Sequence, residues 1–455
     1  MPAFLSLSCL ALCFGLLRAC GVESLTSAQT GEQTEAGERT RPPPVAEPEE
    51  PETDVEPEPA PPLRRRPPRI HSRLSPSTVA HLRAIAATAD LRDDVFAKMG
   101  GSSIESFAYL HCFASDRHLD LGGREELRPT IEFFRGGRAD RRHNPFRRRS
   151  LAAHKGWSLR HGLTGRPTRI VRELRATRAR YALLLFGGND VQARNPRRFG
   201  TQLEKTVETL VHRGVVPVLG STSPRGDDPA MDLWARRYNR ISRGIARAWD
   251  LPYINFYLAL EALPRHGLAR DGVHSNVLLD GGRGRPCVFT EEGLQRGMNV
   301  RNLRTLESLH RLRSVLGGQA APDPEPERPT GEGTAASPLH VASAPFAERR
   351  GAADLSASLD GYSCEGSASA DGPERVYRVL LGEPTTLWLS TLARRGTARV
   401  YVLGAELDPA SCVASGEELE IELGPGVHHI VAELQPEGDG ASLTFMLDYP
   451  VQPPP

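Results

Sequence analysis

The feature that most constrains this chain is a set of short, wholly apolar runs separated by stretches of helical period. Residues 181–186 read YALLLF and residues 215–220 read VVPVLG. A run with no polar face has to be covered on both sides, as the strands of a parallel sheet are. Around these runs lie segments with apolar residues three and four apart, at 78–90, 167–179, 199–213, 228–249 and 291–316. Shorter strands are expected at 95–99 and 253–256. Strands alternating with helices of this length specify an α/β domain over residues 75–317, a parallel sheet with helices on both faces. Functional side chains then belong beyond the carboxyl ends of the strands.

The rest of the chain has other textures. Residues 21–74 contain PEEPETDVEPEPAPPLRRRPP, which cannot bury a core and reads as a disordered stalk. Residues 318–338 form a second Pro/Gly/Glu/Ala-rich stretch, read as a linker. From 339 to 455 short strands recur, at 376–380, 386–390, 399–403 and 428–434, with turn residues between them and no helical period. That is the pattern of an all-β sandwich. At the other end, residues 1–20 read as a signal peptide, because the apolar run 4–17 is short for a membrane span. Leu17-Arg18-Ala19-Cys20 resembles a bacterial lipoprotein box, which makes Cys20 the expected lipidation site. A secreted or envelope protein is expected, touching membrane only through that anchor. A net charge of +1 over 455 residues gives no field that would draw nucleic acid. Oligomeric state is not encoded in any of these patterns.

Three segments that carry chemistry each sit past an expected strand or before the closing helix: Lys98-Met99-Gly100-Gly101-Ser102-Ser103-Ile104, Phe186-Gly187-Gly188-Asn189-Asp190 and Asp271-Gly272-Val273-His274-Ser275. Each alone is an ordinary turn. Their order resembles that of the SGNH/GDSL hydrolases over residues 94–316, which implies a three-layer α/β/α serine esterase or deacylase without metal or cofactor. The resemblance makes Ser102 the nucleophile, His274 its base and Asp271 the group that orients His274. A serine hydroxyl needs such a base, and the base needs a fixed tautomer. The oxyanion would be held by the Ser102 N–H, the Asn189 side chain and a glycine N–H, for which Gly156 in His154-Lys155-Gly156-Trp157-Ser158 is the candidate. One departure stands out: the family triplet is Gly-Asp-Ser, and this chain has Gly100-Gly101-Ser102-Ser103. Aligning Gly100 with the first glycine selects Ser102 and puts Gly101 where Asp belongs. Aligning Gly101 selects Ser103. Ser102 keeps the strand-to-turn spacing without a slip. No G-x-S-x-G elbow is present.

The C-terminal region resembles the bacterial pre-peptidase C-terminal domain over residues 352–449, through Gly372-Pro373-Glu374-Arg375-Val376-Tyr377 and Leu423-Gly424-Pro425-Gly426-Val427-His428-His429-Ile430-Val431. That resemblance implies a bridge between Cys364 and Cys412, and Cys112 with Cys287 would make a second one within the first domain. The run Arg135 to Arg149, RGGRADRRHNPFRRR, either lines the cleft for anionic substrates or is a solvated loop. His111, His118, His143 and His154 lack metal-ligand spacing, and no metal site is expected. The expected activity is hydrolysis of O-acyl esters, on carbohydrate or on small molecules. The alternatives are a glycan-binding envelope protein with a degenerate site and an O-acyltransferase that replaces water with a sugar hydroxyl.

Overall fold

Four parallel strands lie side by side in the order β1 (Arg92–Gly100), β2 (Ala179–Leu185), β3 (Val216–Gly220) and β4 (Tyr253–Ile254). The computed structural model describes residues 60–364 and 371–451. The expected signal segment, Cys20 and the stalk up to residue 59 lie outside the described residues. Every residue of β2 and β3 is buried, as the apolar runs 181–185 and 216–220 require; the one charge in β2, Arg180, pairs with Asp93 and donates to the Gly214 carbonyl. One face of the sheet carries helices α1 (Pro76–Ala87), α2 (Arg128–Gly136) and α6 (Gly297–Leu316); the other carries α3 (Arg169–Thr177), α4 (Pro196–Val211) and α5 (Pro229–Ala248). The helix starts are encoded locally. Ser75, Thr168, Asn195 and Asp228 each accept a backbone N–H of the first turn, and Pro follows the cap in α1, α4 and α5.

The C-terminal part is a sandwich of two largely antiparallel sheets. One holds Phe346–Gly351, Ser442–Asp448, Thr385–Arg394 and Glu418–Leu423; the other holds Ala414–Gly416, Gly396–Leu403, Gly426–Pro436, Glu374–Leu381 and Leu339–His340. Their facing apolar residues, among them Tyr377, Leu389, Val400, Ile430 and Phe445, make a core of their own. Both expected disulfides form, Cys112–Cys287 with Cα atoms 5.8 Å apart and Cys364–Cys412 with Cα atoms 5.4 Å apart.

The reading of residues 21–74 and 318–338 as stalk and linker is corrected over the described part. Arg64–Arg65 pairs in parallel with Ser343–Ala344, and His71 bridges to Ile254. Asp323 accepts the Leu74 N–H and pairs with Arg311, while Glu327 pairs with Arg64. Composition treats such charges as solvating, yet the arginines of one segment and the acids of the other complement each other. The sandwich also packs directly on the α/β part. Trp388, Leu392 and Met446 belong to the same buried cluster as the sheet core. A Cβ on Gly200 of α4 would come within 2.9 Å of Leu392 Cδ1, and one on Gly244 of α5 within 2.4 Å of Met446 Sδ, so both helices rely on glycine at this contact.

The Cys112–Cys287 bridge closes a separation of 175 residues. Replacing both cysteines with Ser is expected to lower unfolding free energy by about 2–5 kcal/mol, measured as the shift in denaturant midpoint at unchanged slope. An unshifted midpoint would show that the bridge constrains nothing the rest of the fold does not already hold.

Candidate active site

The carboxyl end of β1 delivers Gly100 against the neighbouring strand so closely that a Cβ there would lie 2.5 Å from the Leu185 carbonyl oxygen. The chain then turns at Gly101 into one turn of helix, Ser102–Glu105. Ser102 is the first residue of that turn, so its N–H points out of the helix start unpaired by the helix itself. Its Oγ lies 3.0 Å from His274 Nε2. Asp271 Oδ2 lies 2.7 Å from His274 Nδ1, and Oδ1 accepts the backbone N–H groups of Val273 and His274, each at 3.0 Å. Those two backbone donors, followed by the His274 ring, hold the Asp271 carboxyl down at about 2. Accepting from Nδ1–H leaves Nε2 as the acceptor for the Ser102 hydroxyl. Ser103 makes no hydrogen bond to His274, so of the two alternative serines the structure brings only Ser102 to it.

The Gly187-Gly188-Asn189-Asp190 turn follows β2. The buried Asp190 carboxylate accepts the Gly187 N–H at 3.0 Å and the Leu159 N–H at 2.9 Å, locking the turn to the segment after Gly156. Burial raises the Asp190 carboxyl, and these backbone donors oppose the rise. Asn189 Nδ2 donates to the Trp157 carbonyl at 2.9 Å and faces the cavity beside Ser102. Residues 152–154 are tied to β1 by Gly100 N–H to Ala152 O and His154 N–H to Gly100 O. Gly156 adopts φ +79° and is exposed; Trp157, not Gly156, lines the cavity. The expected third donor is therefore not among the residues that line this cavity.

The cavity these groups share measures about 100 Å³. Its wall includes residues that no motif indicated. Ser223 and Arg225 come from the loop after β3. Arg225 pairs with Asp227, and the Gly226 N–H donates to the Gly272 carbonyl at 2.7 Å, which clamps this loop to the one bearing Asp271 and His274. Arg301, on α6, is buried, donates to Ser223 Oγ at 2.8 Å and packs 4.5 Å from the Phe256 ring centroid. The signal for Ser223 and Arg225 was available, since they follow a strand of the parallel sheet at its carboxyl end. Arg301 lies on a helix whose pattern reads only as core. The basic run does not reach the cavity: Arg135 pairs with Asp116, Arg148 with Glu173 and Arg149 with Glu105. Among the described residues no group of His, Cys, Asp and Glu is placed to hold a metal ion, and no helix is long and apolar enough to cross a membrane.

Residues 133–278, less than half of the chain, match the model of the GDSL-like lipase/acylhydrolase family. The match spans the Asn189 and His274 segments and begins after Ser102, which joins them only through the fold. Comparison with curated proteins returns no match. Similar solved structures include LAE5, an α/β hydrolase from the metagenome of Lake Arreo, Spain, at 16% identity over 50% of this chain and 98% of that one, with a TM-score of 0.32. The acetylxylan esterase Axe2 of Geobacillus stearothermophilus is 13% identical over 49% of this chain and 96% of its own, with a TM-score of 0.31. A two-domain esterase active on acetylated mannans is 14% identical over 84% of this chain and 98% of its own, with a TM-score of 0.30.

Two outcomes follow from this geometry. Asp271→Asn keeps the shape and loses the charge, and is expected to lower ester turnover roughly 10²–10⁴-fold, with circular dichroism unchanged. A Cβ at Gly101 would lie 2.8 Å from Asn189 Nδ2 and 3.1 Å from the Trp157 carbonyl oxygen. Gly101→Ala should therefore displace Asn189 and lower kcat by roughly 10–10³-fold, and a kcat equal to the parent's would separate Asn189 from the reaction.

Proposed function

We propose that the protein is a serine esterase that removes short O-acyl groups, with Ser102, His274 and Asp271 as its triad. The observation that carries this reading is the continuous chain of hydrogen bonds from Asp271 through His274 to Ser102 Oγ. Ser102 Oγ attacks the acyl carbonyl carbon while its proton passes to His274 Nε2. The tetrahedral oxyanion is held by the Ser102 N–H and the Asn189 amide. The carbon–oxygen bond to the alcohol then breaks, and His274 returns the proton to the departing oxygen. Water repeats the sequence on the acyl-enzyme, with His274 taking its proton, and releases the carboxylic acid. A serine hydrogen-bonded to a histidine that is itself oriented by a carboxylate argues against a degenerate site kept only for binding.

The size of the cavity supports a small acyl group. About 100 Å³ is well below the roughly 300–1,000 Å³ that drug-sized ligands fill. The half-exposed His274 and Asp271 side chains leave the alcohol side open, which suits an ester on a bulky carbohydrate. We read the protein as exported, through the apolar start of the chain and its two disulfides, which persist in oxidising compartments. The anchor at Cys20 and the pre-peptidase character of the sandwich rest on sequence resemblance alone.

Hydrolysis of a chromogenic acetyl ester tests the reading. Ser102→Ala is expected to lower turnover by roughly 10³–10⁶-fold, while Ser103→Ala stays within about tenfold of the parent, as a residue outside the triad should. A fluorophosphonate adduct located by peptide mass on Ser103, or on neither serine, would overturn the assignment.

A further inference from the structure

A second cavity, of about 1060 Å³, lies among α5, residues 64–78, residues 325–328 and the end of the sandwich, and it shares no lining residue with the cavity at Ser102. Ten arginines and five carboxylates face it. The carboxylates are engaged: Glu327 by Arg64, Glu325 by Arg328, Asp448 by Arg243, Asp250 by the Thr78 hydroxyl, and Glu261 lies 3.7 Å from Arg236. Among the described residues Arg66, Arg73 and Arg247 form no ion pair and act on one another as neighbouring like charges, with Glu327 partly offsetting this at Arg66 and Asp448 at Arg247. Burial, then repulsion from Arg66 and Arg243, lowers Arg247 to about 10, while Asp448 opposes the shift. Arg247 nonetheless presents open surface, because it faces the hollow. The carboxyl end of α5 favours one cation at Arg247. A wall that sets ten arginines against five carboxylates among the described residues carries an excess of positive charge that an anion completes, and guanidinium matches carboxylate through two parallel hydrogen bonds.

The volume exceeds what one small anion needs and suits a chain bearing several. Single-stranded nucleic acid would also want open aromatic faces for its bases. Here the Tyr449 ring is covered by Arg65 at 4.4 Å and the Tyr257 ring by Arg236 at 4.9 Å. We propose that this cavity binds an acidic oligosaccharide, a run of sugar units bearing carboxylates, at a site separate from the catalytic pocket. The choice of sugar rests on the reading of the substrate as an acylated carbohydrate; the requirement for an anion rests on the arginines alone.

The test uses the full chain and calorimetric titration with tetragalacturonate, a neutral xylotetraose, inorganic phosphate and an oligothymidylate. Tetragalacturonate is expected to bind, more weakly as salt rises, and xylotetraose is not. The double variant Arg73→Ala, Arg247→Ala should lose at least about tenfold in affinity, as expected when charge-assisted hydrogen bonds are removed. Arg73→Lys with Arg247→Lys, which keeps the charge, should lose less. Hydrolysis of the small acetyl ester should be the same in all of them. Equal tetragalacturonate affinity in the parent and the alanine variant would overturn the proposal, as would no binding at low salt. Phosphate or oligothymidylate binding as tightly as the uronate would replace the sugar with another anion. If the parent binds the uronate but leaves the acetyl ester intact, the esterase reading fails and the cavity assignment stands.

Discussion

The active-site geometry depends on one constraint, the parallel register of β1 and β2. Gly100 is paired with Leu185, and there is no room for a side chain between them. Both strands therefore end at the same level, and the turns that follow them meet. One turn starts the helix that carries Ser102; the other carries Asn189. The third participant, the loop with Asp271 and His274, has no strand beneath it. It is held instead from the side, by Gly226 N–H on Gly272 and by the Leu268–Ser275 bridge. Rigid elements fix two corners of the site, and a braced loop supplies the base.

What was legible in the sequence follows this division. β2 and β3 were legible because burial on both faces demands unbroken apolar residues, and few other structures leave that trace. The Asp271–His274 spacing was legible because three residues are enough for the carboxylate to turn back on both the ring and the backbone of the same loop. Ser102 and Ser103 could not be separated by composition. Their difference is rotational: one helical position turns Ser102 toward His274. Arg301 and Arg225 were hidden because arginine on a helix or loop carries no period of its own, and its partner is far away in sequence. The Pro- and charge-rich stretches misled for a related reason. Local composition records how polar a segment is and omits whether another segment of opposite charge lies beside it, as Glu327 lies beside Arg64.

The sandwich is more than an appended module in energetic terms. Trp388 is almost fully buried, with Arg240 of α5 stacked 3.8 Å from its ring centroid, and its indole N–H donates to Glu418 at 2.7 Å. Glu204 of α4 is buried and receives the Thr444 hydroxyl. Polar groups buried across a contact have to be satisfied across it, or separation leaves them stranded. The contact thus fixes α4 and α5, whose opposite faces cover the sheet. The arginine-lined cavity opens along the same boundary, so its shape is set by this packing.

The glycine at position 101 gains a physical account from the same geometry. In the Gly-Asp-Ser triplet an aspartate stands there, and its absence raised the question of whether the site could function. Here the space a side chain would occupy is already taken by the Asn189 amide and the Trp157 carbonyl, which bond to each other. The Cβ of any side chain at this position would crowd both groups. The Asn189 turn is held by Asp190, whose buried carboxylate accepts two backbone N–H groups. The Asp271–His274–Ser102 chain is therefore built here with glycine at position 101.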